Sequence, residues 1–370
     1  MATPADRGLY MPAEWQPHDR CWMAWPCRVE LWGEHLEAAR EAYAEVARAI
    51  LGFEPVTMIA NPDSIAEASL HCGPGIACLP MALDDSWIRD IGPSFVIDGQ
   101  GGIEGVDWRF NGWGGKYQPH DQDAAVAGAV LEHLGVAGHA APLVLEGGAI
   151  NVDGEGTLLT TESCLLNPNR NPDLGRQEIE ALLAAHLGLH RVIWLGAGLE
   201  DDETDGHVDN LACFIRPGAV LALTSDDPED GNYAALQDNL ARLRAARDAK
   251  GRALEVIEVA QPRRAEGEDG RRLATSYVNL YIANGGVVMP AFEDGKDGAA
   301  RDTVAACFPG REVRQVPALD IVRGGGGIHC ITQQQPTAAP AEEEAEAQSR
   351  GVLGSAGPQP RPRPVTASSW

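Results

Sequence analysis

Apolar residues recur at helical spacing in five stretches. Trp32, Leu36, Ala39, Tyr43, Val46 and Ile50 form the first; Val126, Val130 and Leu134 the second; Ile179, Leu182, Leu183 and Leu187 the third. Tyr233, Leu236, Leu240 and Leu243 form the fourth, and a weaker pattern runs from Gly298 to Phe308. A period near 3.6 predicts an amphipathic helix at each. Gly52, Gly135, Gly188 and Gly251 lie where four of these patterns stop, as glycine often does past a helix C-terminus. A short β-prone run follows every helix: Val56–Ile59, Pro142–Leu145, Arg191–Leu195, Leu254–Val259 and Glu312–Val316.

Before most helices the pattern is that of two apolar runs joined by a glycine turn, which predicts a hairpin. The pairs are Ser94–Ile97 with Ile103–Val106, Ala149–Val152 with Thr157–Thr160, Asn210–Ile215 with Ala219–Leu223, and Tyr277–Ala283 with Val287–Met289. A last run, Ile328–Thr332, has no return strand, and Cys21–Trp25 near the N-terminus can supply one. The unit is therefore hairpin, helix, strand, repeated about five times at a spacing of roughly 50 to 80 residues, too irregular for a solenoid. Five such units joined through the chain ends predict an α/β fold with a five-bladed, propeller-like arrangement closed through the N-terminal strand. An open mixed α/β sheet is the competing architecture. Residues 1–336 read as one catalytic domain. Residues 337–370, with Glu342–Glu344 and Pro358, Pro360, Pro362 and Pro364, read as a disordered tail.

Charge narrows the partners. The 370 residues carry 54 Asp and Glu against 29 Lys and Arg, a formal net charge of −25. That argues against nucleic acid and against an anionic membrane surface, and it suits a cationic small molecule. The first residues lack the apolar core of a secretory signal, and no run approaches a membrane span, so a cytoplasmic location is expected. The cysteines at 21, 27, 72, 78, 164, 213, 307 and 330 form no Cys-x-x-Cys pair. Most are expected to be small core residues in a reducing compartment. Homo-oligomerisation is left open.

Polar residues gather where the hairpins begin: Asp84–Asp90, Glu146-Gly147-Gly148, Asp205–Asp209 and Gly324–Cys330. In a radial fold those ends converge, which would bring Asp90, Glu146, His207, Asp209 and Cys330 to one centre. His207 and Asp209, two apart, would share a face of a strand as a base with its carboxylate or as an ion pair. Four glycines before Cys330 allow close backbone approach to a bound group, and no Lys-Ser/Thr follows them, so a P-loop fails. A metal is disfavoured because only His207 and Asp209 have near-ligand spacing, and no metal or organic cofactor is expected. A thiol, a histidine and three carboxylates suit covalent chemistry on a guanidinium, which carboxylates grip through paired hydrogen bonds and which lowers a neighbouring thiol pKa.

These segments resemble the agmatine deiminases of the guanidine-modifying superfamily that includes peptidylarginine deiminases. The likeness spans nearly all of residues 9–336. It rests on Met11–Trp15, Asp85–Pro93, Phe110–Tyr117, Leu145–Gly148, Glu203–Asp209 and Gly325–Gln334, in that order. The resemblance implies a five-bladed α/β propeller and a hydrolase acting on the C–N bond of a linear amidine. The implied reaction is agmatine to N-carbamoylputrescine and ammonia, in putrescine biosynthesis. It implies that Cys330 attacks and forms a thiouronium, that Asp90 and Asp209 grip the guanidinium, and that His207 handles protons. It also implies that Glu146 orients His207, while Trp87 and Trp113 line the channel for the alkyl chain. A deiminase of free or peptidyl arginine and a non-catalytic guanidine-binding protein are the alternatives.

Overall fold

The computed structural model describes residues 2–338. Its strands fall into five separate sheets, and four of them share one plan. Ser94–Ile97, Ile103–Arg109 and Ala137–Val144 form one such sheet; Asn151–Val152, Thr157–Thr161 and Arg191–Leu195 the next. Ala212–Arg216, Ala219–Thr224 and Glu255–Ala260 form the third, and Tyr281–Ala283, Gly286–Ala291 and Glu312–Pro317 the fourth. In each, the first two strands pair antiparallel as a hairpin and the second and third pair parallel. A parallel pair needs a crossover, and the helices Asp123–Leu134, Arg176–Leu187, Tyr233–Ala245 and Asp297–Cys307 provide it.

The remaining sheet joins the two ends of the described chain. Gln333–Pro336 pairs antiparallel with His18–Ala24, which pairs parallel with Val56–Ala60 across the helix Leu36–Leu51. That helix buries Ala39, Tyr43, Val46, Ala47 and Ile50 on one side, the face expected from its periodicity. A fourth strand, Ala77–Pro80, extends this sheet after a helix at Ile65–Cys72.

The middle strands Thr157–Thr161, Ala219–Thr224 and Gly286–Ala291 are covered on both faces, whereas Ile103–Arg109 is only partly buried. Ala219–Thr224 is buried at every position, with Val220 and Leu221 fully so, which accounts for its unbroken apolar sequence. Leu221→Ala is expected to cost about 2–5 kcal/mol, the range for emptying a well-packed leucine site. Urea denaturation measures it, and a loss under about 1 kcal/mol would show that this strand is not core.

Strand starts differ from the sequence reading in one consistent way. The runs at Ala149, Asn210 and Tyr277 begin the strand late, at Asn151, Ala212 and Tyr281. The residues ahead of them form short turns: Gly147–Ala149 and Val208–Asn210 are 3₁₀ turns, and a helical turn at Ile88–Ile91 precedes Ser94. Ile328–Thr332 is likewise a turn, and the closing strand is Gln333–Pro336. His207 therefore precedes a 3₁₀ turn and does not share a strand face with Asp209. Apart from residues 337 and 338, the proposed tail lies outside the described residues.

Candidate active site

These short turns carry the five candidate residues named from the sequence. Asp90 lies in the Ile88–Ile91 turn, Glu146 caps Gly147–Ala149, His207 caps Val208–Asn210 with Asp209 inside it, and Cys330 lies in the turn before the closing strand. All five are buried. Cys330 Sγ is 3.5 Å from Asp209 Oδ2. His207 Nδ1 is 3.8 Å from Asp90 Oδ1, and its Nε2 is 3.7 Å from Glu146 Oε2. Gly148 holds this cluster together by having no side chain. A Cβ there would sit 2.5 Å from His207 Nδ1, 2.9 Å from Asp209 Oδ2 and 3.0 Å from Asp90 Oδ1.

Each carboxylate is oriented by protein donors. Asp90 Oδ1 accepts the Gly148 N–H at 2.9 Å, and its Oδ2 accepts Trp113 Nε1–H at 2.9 Å. Glu146 Oε1 accepts Arg170 Nε–H at 2.7 Å. Asp209 Oδ2 lies 2.9 Å from His329 Nδ1, while its Oδ1 is buried without a hydrogen-bond partner. Both ring nitrogens of His207 also lack a hydrogen-bond partner, in a side chain with no solvent exposure. Buried polar atoms are rarely left so in a structural role, which marks this as a place where a polar ligand completes the bonding.

Electrostatics follow from burial under crowded charge. Burial, then the Asp209 and Asp90 charges, push the Cys330 thiol well above its ordinary pKa; the Gly327 N–H and Asn279 oppose them weakly. Burial raises Asp90, with Asp209 and Glu146 adding to the rise and His207 opposing it. For His207, burial disfavours the cation, but Asp90, Cys164 and Glu146 outweigh it and hold the pKa well above the usual histidine value. Burial would raise Glu146 too, yet His207 and Arg170 bring it below the ordinary range. The centre without ligand therefore holds a neutral thiol beside an imidazolium.

A cleft reaches Cys330 between Trp87, Trp113, Tyr117, Glu203 and Gly326, with Asp90 on its wall. Trp87 stacks on Trp32 at 5.8 Å, so both tryptophans named from sequence line the cleft while belonging to the core. Trp113 reaches it through a left-handed backbone, φ 54°. The glycine run also makes room for the aromatic wall, since a Cβ at Gly326 would come within 2.5 Å of Trp87. Outside the cleft, Asp201, Glu203, Glu266, Glu268 and Asp269 surround a wider vestibule that also holds Arg271, Arg272 and Arg323.

Three participants had no signal in the sequence reading. Arg170 and Asn279 come from loops without a motif, and Asn279 Nδ2–H donates to Cys330 Sγ at 3.3 Å. His329 sat inside a quoted motif with no assigned part. The metal argument also changes. Ligand atoms of Glu146, Cys164 and His207 lie within 4.8 Å of one another, a grouping that includes a cysteine the sequence reading did not name. The buried Arg170 guanidinium on Glu146 opposes a further cation there.

Residues 10–336 match the Porphyromonas-type peptidyl-arginine deiminase family. An agmatine deiminase of Stutzerimonas stutzeri is 49% identical over 359 residues, covering 90% of this chain and 97% of its own. This chain belongs to the agmatine deiminase family. Among solved structures, the Enterococcus faecalis agmatine deiminase superposes with a TM-score of 0.89 at 39% identity, over 92% of this chain and 99% of that one. A C. jejuni agmatine deiminase variant with substrate bound gives a TM-score of 0.82 at 28% identity, over 90% of this chain and 97% of that one. The α/β fold of separate mixed sheets is thus that of the family's solved members.

Proposed function

We propose that the chain hydrolyses agmatine to N-carbamoylputrescine and ammonia through a covalent thiouronium on Cys330, a step of putrescine biosynthesis. The observation that carries it is the meeting of Cys330, His207, Asp90, Asp209 and Glu146 in one buried, ligand-accepting centre within a family of agmatine deiminases. The unpaired Asp209 Oδ1 and the Asp90 carboxylate are placed to receive guanidinium N–H groups. The arriving cation screens both carboxylates from Cys330 and so favours its thiolate, the thiol proton passing to solvent as substrate binds. The thiolate bonds to the guanidinium carbon. One C–N bond breaks as His207 gives its proton to the departing ammonia. Water then attacks the thiouronium carbon while His207 takes one of its protons, and the C–S bond breaks to restore the thiolate as the new hydroxyl gives its proton to solvent, where the released ammonia takes it up, leaving the neutral ureido product. Glu146, fixed by Arg170, keeps the His207 ring oriented; its 3.7 Å separation is of the kind that tightens with substrate.

Trp87 and Trp113 form an apolar passage suited to the butyl chain, and the excess of vestibule acids beyond them, with Glu203 already shared with Arg271, suits the terminal ammonium. An α-carboxylate, as in free arginine, would meet Glu203 and the other vestibule acids. Arg271, the nearest candidate partner for it, is engaged with Glu203. Ammonia release assayed with agmatine, arginine and a peptidyl arginine tests this. Comparable kcat/KM for agmatine and arginine would overturn the assignment.

We also infer that the five sheets stand as blades around the site, closed by the pairing of Gln333–Pro336 with His18–Ala24, and that residues 1–336 form one catalytic domain. The reading includes action in the cytoplasm on a small cation, with neither nucleic acid nor membrane as partner. No helix among the described residues is long and apolar enough to cross a membrane.

Asp90→Asn and Asp209→Asn are each expected to lose about 2–5 kcal/mol of transition-state stabilisation, the cost of removing one partner of a buried charge pair. Asp90→Asn carries a second penalty, because its amide N–H₂ must face either the Gly148 N–H or Trp113 Nε1–H. Steady-state kinetics on folded variants measure both losses. Wild-type kcat/KM in either would remove that residue from the site.

A further inference from the structure

The reaction above gives no part to the histidine immediately before the nucleophile. His329 is 4% exposed, and both its ring nitrogens are engaged. Nδ1 lies 2.9 Å from Asp209 Oδ2, and Nε2 lies 2.9 Å from Glu14 Oε2. Ionised carboxylates only accept hydrogen bonds, and neutral imidazole has a single N–H. Two carboxylates at these distances therefore call for the doubly protonated ring. Burial and the Arg89 charge disfavour that cation, but Glu14 and the bonds to both carboxylates outweigh them and raise its pKa. Burial would likewise raise Glu14, yet His329 and Arg89 bring it down to about 2.

The far end of this chain of groups is anchored. Glu14 Oε1 accepts the Ile282 N–H at 2.9 Å, and Arg89 Nη2 stands 3.9 Å from Glu14 Oε2. Arg89 Nε–H also donates to the His329 carbonyl at 3.3 Å. Two elements thus hold the imidazolium, the N-terminal segment through Glu14 and the Val208–Asn210 turn through Asp209, while the Ile88–Ile91 turn fixes the His329 backbone. At the near end, Asp209 Oδ2 is shared between His329 and the Cys330 sulfur, and Oδ1 is buried with no hydrogen-bond partner.

We propose that Glu14 and His329 form a positioning relay for the deimination, in which the imidazolium occupies Asp209 Oδ2, leaves Oδ1 to the guanidinium, and shields the Cys330 sulfur from the Asp209 charge. The proposal rests on the roles given above to Cys330 and Asp209. Without the cation, the Cys330 thiol is the one donor left to Oδ2 among the described residues, so the 3.5 Å hydrogen bond it already makes there strengthens and stabilises the unreactive form, and Oδ2 competes with Oδ1 for the substrate. His329 and Glu14 are absent from the cleft lining among the described residues, so both act through Asp209 and are positioning residues.

The test uses the full-length enzyme with His329→Gln, Glu14→Gln, the double variant and Cys330→Ala. His329→Gln is expected to lower kcat/KM about 100-fold and Glu14→Gln about tenfold, with a higher KM as well as a lower kcat, since a supporting partner's loss typically has that size. In the His329→Gln background, Glu14→Gln should add less than about twofold, because its effect passes through the ring that is gone. A merely structural role would instead reduce the active fraction at unchanged KM.

Iodoacetamide alkylation of Cys330 across pH gives a readout independent of turnover. Cys330 is faced by Asp209, Asp90 and Asn279, and His329 by Asp209, Glu14 and Arg89. Removing the imidazolium should move the alkylation midpoint up by roughly one pH unit, a tenfold change in thiolate population. If His329→Gln does not fold, Glu14→Gln carries the test alone, and its alkylation midpoint must rise. Equal effects of Glu14→Gln in both backgrounds, or an unmoved midpoint, would overturn the relay while leaving the site reading intact. Turnover of agmatine by Cys330→Ala would overturn both.

Discussion

Cys330→Ala is expected to lower agmatine turnover by at least about 10⁴-fold, because the thiolate forms a bond that nothing else in the centre can form. The alternative nucleophile is Cys164, whose Sγ is 4.0 Å from Glu146 Oε2. Burial, with Glu146 adding to it, raises that thiol, and Cys164 is not among the residues lining the cleft. Cys164→Ala should therefore keep most of its activity. The measurement is ammonia release by both variants, with thermal melting as the check on folding. Substantial turnover by Cys330→Ala, or comparable losses in the two, would end the covalent assignment. Because burial and two carboxylates raise the Cys330 thiol, alkylation of the substrate-free enzyme should be slow at neutral pH. It should accelerate as pH rises toward the folded pKa.

His207→Gln is expected to slow the reaction about 10³-fold, the middle of the range one general acid–base contributes. The loss divides unequally between the half-reactions. Attack by Cys330 draws part of its activation from the bound cation. Hydrolysis requires water to lose a proton beside a covalent thiouronium, and His207, neutral once it has protonated the ammonia, is the base the proposed mechanism leaves free for it. The variant should therefore accumulate an adduct. Acid-quenched samples examined by intact-protein mass spectrometry should show substrate-derived mass on Cys330, absent when Cys330 is also changed to Ala. An inactive His207→Gln with no adduct at any time would place the histidine in the attack itself.

Much of this architecture was legible because helices and covered strands advertise themselves. The 3.6-residue spacing of Trp32 to Ile50 and the unbroken run Ala219–Leu223 both correspond to observed elements. Two kinds of segment escaped. The helix Ile65–Cys72 carries the exposed Leu70, and Ala77–Pro80 is a half-exposed edge strand, so neither has a clean apolar face. The closing strand Gln333–Pro336 is buried throughout, yet consists of three glutamines and a proline. Its side chains are satisfied by bonds such as Trp22 Nε1–H to Gln335 Oε1 at 3.0 Å, which hydropathy cannot register. The apolar turn Ile328–Ile331 beside it then reads as the strand.

The same substitution of turn for strand explains what sequence missed at the site. Buried turns are as apolar as strands, so Val208 and Leu211 look like ladder residues while they bend the chain to aim His207 and Asp209 inward. Asp90, Glu146, His207, Asp209 and Cys330 were visible as polar residues at repeated positions. Glu14 sat in the quoted Met11–Trp15 motif without a role, and Arg170 in no motif, because each supports another side chain from a distant part of the chain. Contacts such as Arg170 to Glu146, 24 residues apart, exist only once the sheets are assembled.

The pairing of Gln333–Pro336 with His18–Ala24 has a consequence for how the enzyme comes into being. Ribosomal synthesis runs from the N-terminus at about 5–20 residues per second, so the acids and His207 emerge well before the thiol. Cys330 lies three residues ahead of Gln333, the first residue of the strand that docks on the earliest one made. Seating that strand and seating the nucleophile are therefore a single event. Until Gln333–Pro336 meets His18–Ala24, a nascent or nicked chain has the parts of the proposed guanidinium trap without a sulfur held against it. On the proposed mechanism, catalytic competence reports that these two distant strands have found each other.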